Sequence, residues 1–244
     1  MALTVKSPET VYTGDFHAGR DARTRHAARK ILGLMREWTG AESLVDIGCG
    51  VGSWLAAAQE TGFTHCRGVE GPWGRDAALA IDPAIVTFQD LQQPIQLDRR
   101  FDLALTLEVA EHLPETRANS FVADLCALAD LVLFSAAIPM QGGKGHVNEQ
   151  WQSYWAELFA EHGYQAFDPI RPLLWNDPDI SFWYRQNTLI YAKSGSAAFS
   201  QLMGQGFSEP VFVDLVHPEQ YEFAESAQPR RAIGRKVKDL LRIP

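Results

Sequence analysis

Residues 43–55, Ser-Leu-Val-Asp-Ile-Gly-Cys-Gly-Val-Gly-Ser-Trp-Leu, constrain the fold more than any other stretch of the chain. An apolar run closes on Asp46 and Ile47, glycine takes every second position at Gly48, Gly50 and Gly52, and Leu55, Ala56, Ala57 and Ala58 continue in a helical pattern. Strand, glycine turn and helix in that order place a ligand at the carboxyl end of the first strand of an α/β sheet. Downstream, short apolar strands alternate with helical stretches. The expectation is a Rossmann-like, doubly wound, mostly parallel seven-stranded sheet with helices on both faces.

The spacing within the turn separates two kinds of ligand. A dinucleotide loop asks for G-x-G-x-x-G, and here the third glycine comes one position early, at Gly52, with Ser53 where the motif needs glycine. Asp46 ends the strand, where a carboxylate repels a pyrophosphate but attracts a ligand carrying an amino group and a sulfonium. That charge points to S-adenosylmethionine.

With the residues that follow, this D-x-G-x-G-x-G loop resembles the class I S-adenosylmethionine-dependent methyltransferases over residues 27–193. The resemblance implies that Asp46, Gly48, Cys49 and Gly50 surround the cofactor. It implies that Glu70, in Arg67-Gly68-Val69-Glu70-Gly71, grips the ribose hydroxyls, and that Asp90, with Leu91, sits beside the adenine amine. Glu108, at the end of the fourth strand, completes the expected cofactor set. Residues 1–26 then form an arm and the start of a capping helix, 27–193 the cofactor-binding domain and 194–244 a C-terminal extension.

Bulk properties narrow the function classes. Over 244 residues the hydrophobic content is 46%, enough for one sizeable core. The longest apolar run, Leu131 to Met140, is broken by Ser135 and too short to span a bilayer, and no charged start followed by an apolar stretch marks export. Cys49, Cys66 and Cys126 show no C-x-x-C spacing, which fits a reducing cytoplasm. The net charge of −8 opposes a broad nucleic-acid surface. That charge is uneven: residues 229–244 carry +5, leaving −13 for the rest. Ile233, Val237, Leu240 and Leu241 give this basic end an apolar face, suited to docking on the domain or a second subunit, with peripheral attachment to an anionic membrane as the alternative.

In chain order, residues 1–15 read as an irregular arm. Ala27, Ile31, Leu34, Met35 and Trp38 then mark one face of a helix closed by Gly40. The resemblance implies that this helix covers the cofactor pocket and brings Arg20, Arg23 and Arg25 near the substrate mouth; a solvated basic face is the plainer reading. Residues 75–82 suit a short helix ended by Asp82-Pro83, and 84–88 a strand. After the strand ending near Leu107, residues 117–130 are helical with Phe121, Leu125 and Leu128 inward, and 131–134 form the fifth strand. Asn148 is placed to cap the next helix, whose inner face is Trp151, Trp155, Leu158 and Phe159. Residues 165–170 and 187–193 suit strands six and seven. The aromatic-rich stretch 175–187 between them is too long for a hairpin turn and reads as a pocket wall or a sheet-edge cover. The tail run Val216-His217-Pro218-Glu219-Gln220-Tyr221 resembles tails of bacterial methyltransferases associated with cell-surface glycan assembly.

The chemistry is expected beyond Leu107, where Glu108, Glu111 and His112 stand at i, i+3 and i+4. On a helix those side chains share a face, a spacing that suits one divalent ion. The E-x-x-E-H run also resembles that of ubiquinone-biosynthesis O-methyltransferases and of small-RNA terminal 2′-O-methyltransferases, where it binds a metal. The RNA enzymes add a histidine from after the next strand, which implies His146 as the fourth ligand here. Other class I members carry the same run without a metal. His146 lies in the glycine-rich loop 137–151, and an unperturbed imidazole exchanges protons near neutrality, so His146, His112 and Glu111 are the candidate proton-handling groups.

These readings converge on an S-adenosylmethionine-dependent methyltransferase acting on a hydroxyl or amine of a small polar acceptor, a sugar or related metabolite. A metal-dependent RNA 3′-terminal 2′-O-methyltransferase and a non-catalytic cofactor-binding partner subunit are the alternatives.

Overall fold

The computed structural model describes residues 14–227; the arm over 1–13 and the basic amphipathic segment over 229–244 lie outside the described residues. Helix α1 (Gly14–Thr39) leads into β1 (Ser43–Ile47) and, through the glycine turn, into α2 (Ser53–Glu60). Strands β2 (His65–Glu70), β3 (Val86–Phe88) and β4 (Leu103–Leu107) follow, then α3 (Ala118–Leu128), β5 (Leu131–Ser135), α4 (Gln152–Glu161) and β6 (Tyr164–Phe167). The short helices α5 (Ile170–Leu174) and α6 (Phe182–Asn187) precede β7 (Leu189–Lys193), and α7 (Ala197–Gly204) and α8 (Pro218–Ala227) close the described chain.

The strands form one sheet in the order β3-β2-β1-β4-β5-β7-β6. The first five pair in parallel, and β7 runs antiparallel to both β5 and β6. The expected doubly wound sheet is therefore present. Its order reverses between β1 and β4, which opens a crevice at their carboxyl ends.

Both faces of the sheet are covered, which is why β4 reads as an unbroken apolar run. Leu103, Leu105 and Leu107 pack with Ile31, Leu32 and Met35 of α1, whereas Ala104 packs with Phe121 and Leu125 of α3 and Phe159 of α4. On this second face Phe159 stacks on Tyr191 with ring centroids 3.9 Å apart.

Several local expectations are corrected. Residues 75–82 form no α-helix: a 3-10 turn covers Pro72–Asp76, and the Ala80 amide donates to Val51 O at 2.7 Å, tying the segment to the glycine turn. Asn148 does not cap α4; its Oδ1 accepts from Gln150 Nε2, and the helix begins after an exposed Trp151. Residues 175–187 are not one loop, because α6 occupies their second half and buries Phe182 and Tyr184. Arg25 and Arg29 turn to Glu60 at the far end of α2 rather than to the glycine turn.

The chain beyond Lys193 is stitched to the sheet. Phe207 meets Trp38 edge-on at 4.9 Å, and the buried Arg171 guanidinium, paired with Asp168, donates to the Val213 and Phe212 carbonyls. Asp214 supplies the missing cap of α4, accepting from the Ser153 amide and hydroxyl, each at 2.8 Å. Replacing a capping carboxylate with alanine typically costs about 1 kcal/mol, roughly 2–4 °C for a domain of this size. Asp214→Ala is therefore expected to lower the thermal midpoint by that amount. An unchanged melting curve would show that the tail lends α4 nothing.

Candidate active site

The glycine turn is held from two directions. The Gly48 and Cys49 amides donate to Val69 O at 2.8 and 3.2 Å, so β1 hands the chain to the end of β2. Gly48 adopts φ +82°, and a Cβ there would lie 2.5 Å from a Val109 methyl; only glycine lets the β1 and β4 ends approach so closely. A Cβ on Gly50 would meet nothing within 4 Å among the described residues, which leaves room there for a ligand.

Two acids line that space. The Glu70 carboxylate accepts the Gly71 amide at 2.6 Å and also the Gly50 amide. Burial outweighs both bonds and pushes its carboxyl up to about 7. Asp46 is fully buried, its Oδ2 has no hydrogen-bond partner, and burial, reinforced by Glu70, holds it well above the usual carboxylate range. A buried orphaned oxygen on an acid is a vacancy for a donor or a cation. Burial also raises the Cys49 thiol, which excludes thiolate chemistry in the turn. Asp90 and Leu91 follow β3 one turn away. The Asp90 side chain accepts the Gln92 amide and stays exposed, while Leu91 is buried. The structure thus joins Gly50 directly to Glu70, brings Asp46 near enough for Glu70 to act on its charge, and keeps Asp90 exposed on the turn after β3.

Beyond β4 the expected helical face does not form. Glu108 takes φ +57°, in the left-handed region, and only a 3-10 turn follows at Ala110–His112 before Pro114 forbids continuation. Glu108 therefore parts from Glu111 and His112. The Glu108 carboxylate accepts from Gln141 Nε2 at 2.7 Å and Asn187 Nδ2 at 3.1 Å. Glu111 points inward and is completely buried, and neither carboxylate oxygen has a donor in hydrogen-bonding geometry. Burial and the neighbouring Glu108 hold its carboxyl well above the ordinary range.

His112 and His146 face each other over Glu111 with ring centroids 4.9 Å apart. His112 Nδ1 contacts the Gly145 carbonyl at 3.3 Å, and His146 Nδ1 contacts Glu149 Oε1 at 2.8 Å. Both partners are acceptors, so each Nδ1 carries a proton. The His146 Nε2 stands 3.9 Å from Glu111 Oε1. Burial, then His146, lowers the His112 pKa, so that ring is neutral at pH 7. Among the described residues, ligand atoms of Glu111, His112 and His146 all lie within 4.8 Å of one another. Glu108 stands outside that group.

Four residues of this edge carry no motif in the sequence. Gln141, Gln186 and Asn187 form a buried amide cluster behind Glu108, and Glu149 ties the loop together by accepting the Met140 and Gly142 amides as well as His146. The signal for two of them is the polar run Arg185-Gln186-Asn187-Thr188 directly before an apolar strand, all four buried.

A family model described as "Methyltransferase domain" matches residues 20–170. No curated protein sequence matches the chain. Similar solved structures include CalS10, an amino pentose methyltransferase from Micromonospora echinaspora; it is 16% identical with a TM-score of 0.56, over 75% of this chain and 98% of that one. The sugar N-methyltransferase KedS8 from Streptoalloteichus sp is 17% identical with a TM-score of 0.53, over 79% of this chain and 98% of that one. The small RNA methyltransferase HEN1 is 20% identical with a TM-score of 0.54, over 70% of this chain and 25% of that one. At these identities the likeness is one of fold.

The Glu70 environment predicts a pH dependence. Its carboxyl moves from an ordinary 4.5 to about 7 on folding, so between those values the folded chain holds a proton that the unfolded chain releases. Stability contributed by that proton is present at low pH and falls as pH rises through the window, by up to ~1.4 kcal/mol per pH unit. Glu70→Gln is expected to flatten this slope in denaturant titrations between pH 5 and 7. Parallel slopes for the two proteins would contradict the assignment.

Proposed function

Because the chain belongs to the class I S-adenosylmethionine-dependent methyltransferases, we propose that it methylates a hydroxyl or amine of a small polar acceptor, a sugar or related metabolite. Bound S-adenosylmethionine supplies a methyl group made electrophilic by its sulfonium. The residues fit that group: the Asp46 oxygen is buried without a partner, space stands open above Gly50, and Glu70 sits beside it. In this reading Asp46, Gly48, Cys49, Gly50 and Glu70 hold the cofactor, with Asp90 and Leu91 on the adenine side and Glu108 at its reactive end.

Methyl transfer is an in-line displacement, so the protein must align the acceptor and take its proton when the acceptor is a hydroxyl. The observation that carries the reading is the imidazole pair over Glu111. Glu149 fixes the His146 proton on Nδ1 and leaves Nε2 to accept the acceptor's proton. His112, kept neutral by burial, offers the same atom from the facing side.

The unpartnered Glu111 supports a second reading, because with His112 and His146 it fits a divalent ion of the kind bound by imidazole and carboxylate. Such an ion would act as a Lewis acid on an acceptor hydroxyl. That reading goes with an RNA 3′-terminal 2′-hydroxyl as acceptor, and the net charge of −8 weighs against it.

Labelled methyl transfer from S-adenosylmethionine into pooled nucleotide sugars, glycan intermediates and short RNAs, with and without a chelator, separates these cases. Chelator-resistant labelling of a sugar pool is expected. Chelator-sensitive labelling of RNA alone would replace the sugar reading with the metal-dependent one. On a hydroxyl acceptor, His146→Ala is expected to lower kcat about a hundredfold or more while leaving cofactor affinity near wild type. A kcat within a few-fold of wild type would remove His146 from proton transfer.

A further inference from the structure

Antiparallel β7 brings an unusual part of the chain to the reactive edge. Because β7 runs against β5, with Phe134 opposite Leu189, the residues that precede β7 arrive at the carboxyl end of β5 beside Glu108. Those residues are Gln186 and Asn187, both buried, and they meet Gln141 from the loop after β5.

The three amides admit only one orientation. The His217 backbone N–H can only donate, and it lies 2.8 Å from the Gln186 side-chain oxygen. The Gln186 amino group must therefore face the other way, where it donates to Asn187 Oδ1 at 3.0 Å and Gln141 Oε1 at 3.3 Å. With their oxygens so occupied, Asn187 and Gln141 turn their amino groups to the Glu108 carboxylate at 3.1 and 2.7 Å. A second Asn187 bond, Nδ2 to Gln141 Oε1 at 2.9 Å, and the Ile138 amide at 3.3 Å lock Gln141 further. Donors thus run in one direction from the tail backbone to Glu108. The amides are sealed, whereas Glu108 keeps partial exposure.

We propose that Gln186 and Asn187 are positioning residues for methyl transfer: relaying the polarity of the His217 amide, they fix the Glu108 carboxylate, held at a left-handed backbone position, toward the cationic end of the methyl donor. The inference rests on the methyltransferase reading and on Glu108 as a cofactor contact. It makes the tail segment at His217 part of the site's construction.

Two near-isosteric changes test it. Gln186→Glu keeps an oxygen for the His217 amide but removes the amino group that orients Asn187 and Gln141. Asn187→Asp places an acceptor where Glu108 needs a donor. S-adenosylmethionine affinity, measured by calorimetry on the full chain, is expected to fall about tenfold or more in each, and to a similar extent in Glu108→Gln. The double variant Glu108→Gln/Asn187→Asp is expected to match Glu108→Gln alone to within about twofold, since nothing remains to be positioned. Additive losses, or wild-type affinity in Gln186→Glu and Asn187→Asp, would overturn the inference while leaving the methyltransferase reading standing. No binding by the wild type would overturn the cofactor assignment together with the inference. Should Asn187→Asp fail to fold, Asn187→Ser removes the same donor without a charge and carries the same expectation.

Discussion

Buried acid is the constraint around which this edge of the molecule is built. Asp46, Glu70 and Glu111 are each almost fully buried, at the ends of β1, β2 and just beyond β4, and among the described residues no cation brings Asp46 or Glu70 back toward an ordinary carboxylate. An apolar replacement at Asp46 or Glu111 would satisfy the core better, because a carboxyl oxygen without a hydrogen-bond donor loses its hydration and regains little. The chain tolerates that cost only where the sheet order reverses and the crevice opens. Stability and ligand binding therefore compete at the same atoms, a pattern expected of a site that waits for a positively charged ligand.

The two halves of the edge solve different problems. On the β1–β2 side, glycine lets backbone come within contact distance: Gly48 admits Val109, and the open face of Gly50 admits a ligand. On the β4–β5–β7 side, side-chain amides and imidazoles do the arranging, each with its polarity set by a neighbour that can act in only one sense. The Gly145 carbonyl and Glu149 fix the two histidine protons, and the His217 amide fixes the glutamine and asparagine behind Glu108. Buried polar networks specify one arrangement when every member is satisfied. Among the described residues Glu111 is the acid of this edge whose carboxylate oxygens accept no hydrogen bond.

Most of the sheet could be read from residue patterns because local and global preferences agree. The β1–glycine–α2 unit, the apolar β4 and β5 and the inward Phe121, Leu125, Trp155 and Phe159 follow from periodicity alone. The geometry of the E-x-x-E-H run was not legible from its spacing. Its helical spacing is defeated by the left-handed Glu108 and by Pro114, so Glu108 leaves the group while His146 joins Glu111 and His112 across a long loop. Residues 75–82 failed for a similar reason, since a tertiary bond from Ala80 to Val51 outweighs helical propensity. The polar run that contains Asn187 stands out before an apolar strand, but its partner Glu108 could not be named without the topology. That pairing depends on β7 running backwards, which no local pattern encodes.

The histidine pair illustrates how one geometry serves two chemistries. A proton held on each Nδ1, with ligand atoms of both histidines gathered at Glu111, suits a general base and equally a divalent ion. Position alone does not separate them; charge does. A proton moves from a hydroxyl to imidazole with no change in the total charge of the edge, so Glu111 can stay protonated in its buried setting throughout. A divalent ion instead requires Glu111 to ionise and repays that desolvation with two charges of its own. The Glu111 carboxyl, raised by burial and by Glu108, thus sets the two proposed chemistries apart: proton transfer to imidazole leaves it as it is, whereas an ion would have to offset the cost of ionising it.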